Sequence, residues 1–174
     1  MSDLYQPIPE GQHHAVIFVC RPLGLHPNHL GSKKQQYAIG LEFPNLRDGD
    51  RTRIYWLPAD APDDVNILAC LVRAAGKTPP PTGGFEPESL LGANVFVAMT
   101  HRIKGGRTFS NVANFKSLPA DLAPVRPTTP PDLDLPSWIE QKISKRLDMD
   151  QPLPVANYLK PEEMLWEPAP SSTE

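Results

Sequence analysis

Proline occupies 22 of the 174 positions. It has no N–H and a fixed φ, so it fits neither a helix interior nor the middle of a sheet. Regular structure must therefore lie between the prolines, and they are spaced unevenly. Residues 1–118 and the much shorter stretch 119–174 hold 11 each. Charge changes at the same point. The first stretch carries 12 Lys+Arg against 10 Asp+Glu, a net of +2, and the second carries 5 against 10, a net of −5. A weakly basic body followed by an acidic, proline-rich tail is the organisation this describes. The overall charge of −3 hides a body that can still meet a phosphate backbone.

Within the body, short β-favouring runs alternate with turn chemistry. Residues 13–21 are rich in Val, Ile and Phe and read as a strand; 22–34, with Pro, Gly and Asn, read as a loop ending in two lysines. Residues 35–43 alternate: Tyr37, Ile39, Leu41 and Phe43 point one way, Gln36, Ala38, Gly40 and Glu42 the other. After the turn residues 44–50, residues 51–57 make a third strand. The period then becomes helical. Pro62, Asp63 and Asp64 open a helix whose apolar face includes Val65, Leu68, Leu71 and Val72, and Gly76 closes it. A short helical turn is expected over 86–91. A fourth strand over 93–102 and a fifth over 108–115 are joined by the basic Gly-Gly turn of Lys104, Gly105, Gly106 and Arg107. The order strand, strand, strand, helix, strand, strand is that of an OB-fold, a five-stranded barrel with one helix between strands three and four.

Residues 119–134, with five prolines, read as a linker. Residues 135–147 read as an amphipathic helix with Trp138, Ile139, Ile143 and Leu147 near one face, and 148–174 as an acidic, proline-rich tail. The expected division is thus a binding domain over 1–118, then linker, helix and tail. Cys20 and Cys70 sit in apolar runs, as small buried residues of a protein kept in a reducing compartment. The N-terminus lacks the basic-then-apolar pattern of a signal peptide, and no run reaches the ~18 apolar residues of a membrane helix. A cytoplasmic protein is the expectation.

Catalytic motifs are missing: no P-loop, Gly-x-Ser-x-Gly or His-Glu-x-x-His pattern occurs. Cys20, His26 and His29 lack the paired spacing of a structural zinc site, so neither metal nor cofactor is expected. Single-strand binding needs cations for the backbone and aromatic rings for the bases, and those are present in clusters. Lys33 and Lys34 lie between the first two strands. Arg51 and Arg53 flank Tyr55 and Trp56 on the third. Arg102, Lys104 and Arg107 frame the last hairpin beside Phe109. An OB barrel binds nucleic acid over strands two and three and with the two loops concerned. Tyr55 and Trp56 are consecutive, so they face opposite sides of the sheet and one of them belongs to the core.

The segment 85–119 resembles a family of small phage and prophage single-stranded DNA-binding proteins. The resemblance rests on Leu90-Leu91-Gly92, Thr100-His101-Arg102, the Lys104–Arg107 turn, Thr108-Phe109-Ser110-Asn111 and the closing Leu118-Pro119. Pro9-Glu10-Gly11, Glu42-Phe43-Pro44 and the helix beginning at Pro136 are also similar, so the likeness runs over roughly 9–147. It implies an OB-fold that coats single-stranded DNA in phage replication or recombination, without catalysis. The chain departs from the family at Asp60–Asp64, where a Ser-rich basic stretch is usual, and its tail lacks the acidic, Phe-terminated tip of cellular single-strand binders. The C-terminal region is expected to dock a replication or recombination partner through Trp138 or Trp166, and a homodimer is compatible with such barrels. The alternative is an OB-type interaction module for a host replication, nuclease or defence protein, to which the acidic tail would be suited.

Overall fold

The computed structural model describes residues 6–27, 33–47, 52–58, 67–78, 86–130 and 136–147. Five strands make one antiparallel sheet: β1 (Gly11–Pro27), β2 (Lys33–Glu42), β3 (Thr52–Pro58), β4 (Asn94–Lys104) and β5 (Arg107–Ser117). Their order is β3-β2-β1-β4-β5. Helix α1 (Ile67–Ala74) and a 3-10 turn (Pro87–Leu90) lie between β3 and β4, and helix α2 (Ser137–Ser144) follows the sheet. This is the element order read from the sequence.

The closed barrel is not formed among the described residues. β3 and β5 are opposite edges of the sheet, with no ladder between them. Helix α1 packs chiefly on β5 and also touches β3 and β4. Its Leu68, Leu71 and Val72 fill the hollow that the curved sheet leaves. The expected start of this helix at 62–64 lies outside the described residues. Gly76 closes it as expected, at φ +77°, a conformation that only glycine adopts without strain.

β1 runs on where the sequence suggested a loop: residues 22–27 pair with 33–37 of β2. Pro22 is tolerated there because the β1–β4 ladder spans only Gly11 to Val16. Past Ile17, which still bonds to Ala93 and Gly92, Pro22 has no β4 partner among the described residues, so its missing N–H costs no ladder bond. The ladder shifts register between Ile17 and Val19 and again between Pro22 and Gly24, so the strand bends.

The alternation along β2 divides two apolar clusters. Tyr37, Ile39, Leu41 and Phe43 join Ile17, Tyr55, Leu57, Val95, Val97, Met99 and the α1 side chains in the main core. The opposite, outer face of β1–β3 carries Phe18, Val19, Leu23, Ala38, Ile54 and Trp56. Small residues on β2 make room for the rings. A Cβ on Gly40 would sit 2.9 Å from Phe18 Cε1 and Cζ and from Val19 Cβ. Gly40→Ala should cost about 1–3 kcal/mol of stability, the usual penalty for overpacking, read from the urea midpoint at unchanged m-value.

Residues 119–130 are not a free linker; they cross the sheet as a strap. Asn94 accepts the Val125 N–H at 2.9 Å and donates to the Val125 carbonyl at 2.9 Å. His14 on β1 donates to the same Asn94 Oδ1 at 2.7 Å. Farther on, Glu42 accepts the Thr128 N–H, the Thr128 hydroxyl and the Thr129 N–H at 2.8–3.1 Å. The strap leads towards α2, which seals the outer cluster with Ile139, fully buried, and with Trp138 and Ile143. No helix among the described residues is long and apolar enough to cross a membrane.

Candidate nucleic-acid interface

The β4–β5 hairpin brings its sequence-predicted residues together. Gly105 and Gly106 both have positive φ, +57° and +75°, as a two-residue hairpin turn of the favoured twist requires. Lys104 pairs with Arg107 and Arg102 with Phe109. Paired residues share a face, and so do residues two apart on a strand. Arg102, Lys104, Arg107 and Phe109 therefore lie on one face of the hairpin. Farther along, the same face carries Phe96, opposite His14 of β1 and Lys116 of β5. It continues into the outer face of β1–β3. Lys104 and Arg107 are exposed, and Arg102 and Phe109 half-buried.

The lysines lie at the other end of the sheet. Lys33 and Lys34 pair with Pro27 and His26, whereas β4 passes Gly11 at Met99 on its way to the hairpin turn. Alternation places Lys34 on the outer face with Gln36 and Ala38. The two cation clusters thus do not meet at one loop; they stand at opposite ends of β1, with the outer face between them. His26 adds no charge there. Its Nε2–H donates to the Leu23 carbonyl at 3.0 Å, and burial, aided by the charge of Lys142 and against that hydrogen bond, lowers its pKa below the ordinary histidine value.

Strand β3 corrects the expectations placed on it. Arg53 shares the inward side with Tyr55 and Leu57, and its guanidinium donates to the Thr52 carbonyl at 2.8 Å and the Gln6 carbonyl at 2.9 Å. It pins the N-terminal segment rather than facing the outer surface. Tyr55 is 1% exposed in the main core, so it offers no stacking surface. Trp56, opposite Ala38, is on the outer face but lies beneath α2, with Lys142 Nζ 4.0 Å from its ring centroid. Trp138, expected to meet a partner, packs on this chain's own outer cluster instead. Arg51 and Trp166 lie outside the described residues.

No protein-family model matches this chain, and no curated protein matches it. What the surface can do is therefore read from its own chemistry. Among the described residues no group of three His, Cys, Asp or Glu side chains could hold a metal ion. Burial, with the charge of Glu88 adding to it, pushes the Cys20 thiol up to about 12, far from the thiolate that a nucleophile or metal ligand needs. The residues that the sequence reading did not single out are Phe18, Gln36 and Lys142. Phe18 gave a signal: a ring beside a strand whose outward positions are Ala38 and Gly40 has a flat floor to lie on. Lys142 gave none, because its position over Trp56 depends on the path of the strap.

Proposed function

We propose that this chain binds single-stranded DNA, with little sequence selectivity and without catalysis, in replication or recombination of the phage type. The observation that carries this reading is the shared face of Arg102, Lys104, Arg107 and Phe109. Three cations and a ring on one side of a hairpin are the combination that a single strand calls for: charge for its phosphates and a flat apolar surface for a base. Lys34 and Trp56 stand on the same outer face, on the other side of the strap, and would take the strand where it passes over residues 125–129. The strand order β3-β2-β1-β4-β5 supports an OB-type barrel, partly open between β3 and β5, which is a common form of that fold. A cytoplasmic location goes with this reading, since both cysteines are free thiols. A second copy would use the outer edge of β3, which has no strand neighbour among the described residues.

Titration with fluorescently labelled oligo-dT at several salt concentrations tests the reading. Affinity should fall as salt rises, because each neutralised phosphate releases counterions. Replacing Lys104 and Arg107 together with alanine should flatten the log–log salt slope by about 1.4, two single-strand contacts at about 0.7 each. No binding at low salt, or an unchanged slope in the double variant, rejects the assignment.

One observation favours a protein partner instead. Ile103, next to the hairpin turn and on the face opposite Arg102 and Lys104, is 74% exposed, and an exposed aliphatic at the tip of a cationic hairpin suits an acidic protein surface with an apolar pocket. Capture of a host protein that survives nuclease treatment and is lost in Ile103→Asp, by a chain that ignores oligo-dT, would establish that reading.

A further inference from the structure

The outer face of β1–β3 is not empty, and its occupant comes from this chain. Resting on the single-strand reading above, we propose that the central base-stacking site is the Trp56 face, and that α2 is a resident cover which single-stranded DNA displaces. Trp56 lies on a floor of small residues, Ala38 and Gly40, with Phe18 and Ile54 beside it. That is a flat apolar surface between the two cation clusters, on the lysine side of the strap that Asn94 and Glu42 hold across the outer face. On it, α2 places a cation over the indole: Lys142, whose Nζ also donates to Gln36 Oε1 at 2.6 Å. A base stacked on Trp56 would need the same space.

The seat of α2 is built to give way. The helix has eight residues, no side-chain hydrogen bond at its N-cap, and Ile139 as its one buried residue. A helix of this length does not hold itself in water, so it persists only while docked. Docking buries polar groups at a cost. The Trp138 Nε1–H is buried without a protein acceptor among the described residues, and burial lowers the Lys142 pKa to about 8. The ion pair Arg21–Glu140, at 3.0 Å, is solvent-exposed on both sides, a class that contributes little. Upstream, the bonds of Asn94 and Glu42 hold the strap, so α2 can lift while the strap stays in place. Downstream, Leu147 donates its N–H to the Leu25 carbonyl at 2.8 Å, one residue from the His26–Lys34 pair. The chain that follows, 148–174, carries six Asp+Glu and one Lys.

The test pins and releases α2 in the full-length chain. Leu25 and Leu147 face each other as an antiparallel bridge, the spacing at which two cysteines can be joined. In Leu25→Cys/Leu147→Cys, oligo-dT affinity should be about tenfold or more weaker oxidised than reduced, since apparent affinity scales with the fraction of open molecules. Ile139→Asp, which loosens the cover, should bind severalfold tighter than the unaltered chain. The oxidised-versus-reduced comparison is made within one protein, so it stands even if Ile139→Asp fails to fold. Equal binding in the oxidised and reduced forms overturns the cover while leaving the single-strand reading intact. Absence of binding in the reduced and the loosened protein alike overturns the single-strand reading, and the cover with it.

Discussion

Replacing Glu42 with alanine is expected to lower the unfolding free energy by about 2–3 kcal/mol, as each stranded donor costs on the order of 1–3 and Thr128 keeps some access to water. The side chain is 1% exposed, yet it is well satisfied, because its two oxygens take the N–H groups of Thr128 and Thr129 and the Thr128 hydroxyl. Glu42→Gln should cost less: it keeps one acceptor oxygen but turns an NH2 group towards N–H donors. Urea unfolding gives the loss, and amide exchange at Thr128 and Thr129 should accelerate together as the strap comes away. The same carboxylate sets a pH dependence. Burial alone would push its pKa up, but the hydrogen bonds from Thr129 and Thr128 outweigh that and hold it below its ordinary 4.5. A folded pKa below the unfolded one means that the contribution is complete above 4.5 and is lost as pH falls through the folded value. The unaltered chain should therefore lose more stability than Glu42→Ala on acidification below 4.5.

Tyr55→Ala should be more damaging, at about 3–5 kcal/mol, the cost of emptying a buried aromatic site. Tyr55 lies among Ile39, Leu57 and the α1 side chains with 1% of its surface exposed, and nothing small fills that volume. The useful comparison is with its neighbour. Tyr55→Leu should lower stability yet leave the oligo-dT affinity of the folded protein unchanged. Trp56→Leu should weaken binding by roughly the 1–3 kcal/mol that one stacked base contributes. Equal losses of affinity from the two would contradict the assignment of the faces.

Much of the architecture was legible because it depends on period. The alternation of Tyr37, Ile39, Leu41 and Phe43 with Gln36, Ala38, Gly40 and Glu42 is local, and the core side of β2 follows from it directly. The Gly105–Gly106 turn is equally local, since positive φ at both positions singles out glycine. What composition could not show was where polar residues find distant partners. Residues 119–130 look like a linker by their prolines, and only the pairing of Asn94 with Val125 and of Glu42 with Thr128 and Thr129 makes them part of the sheet. The extension of β1 through Pro22 was hidden for a related reason: whether a proline interrupts a strand depends on whether a neighbour needs its N–H. At the candidate interface, the hairpin residues Arg102, Lys104, Arg107 and Phe109 were legible as neighbours because the Gly-Gly turn is local, whereas Arg53 and Trp138 are drawn into contacts within the chain, to the Gln6 carbonyl and to the outer cluster.

The length of β1 bears on how the chain folds. Its first third bonds to β4 and the rest to β2, so the sheet consists of two pieces sharing one strand: the meander β1-β2-β3 and the hairpin β4-β5. Each piece can zip up from its own turns, with partners close in sequence. Their union waits for pairs such as Val16 with Asn94, whose loop-closure entropy has to be met before any contact repays it. Refolding should accordingly show its principal barrier at that seam, so that substitutions at Ala15 or Val95 slow refolding while those near Gly105 chiefly speed unfolding.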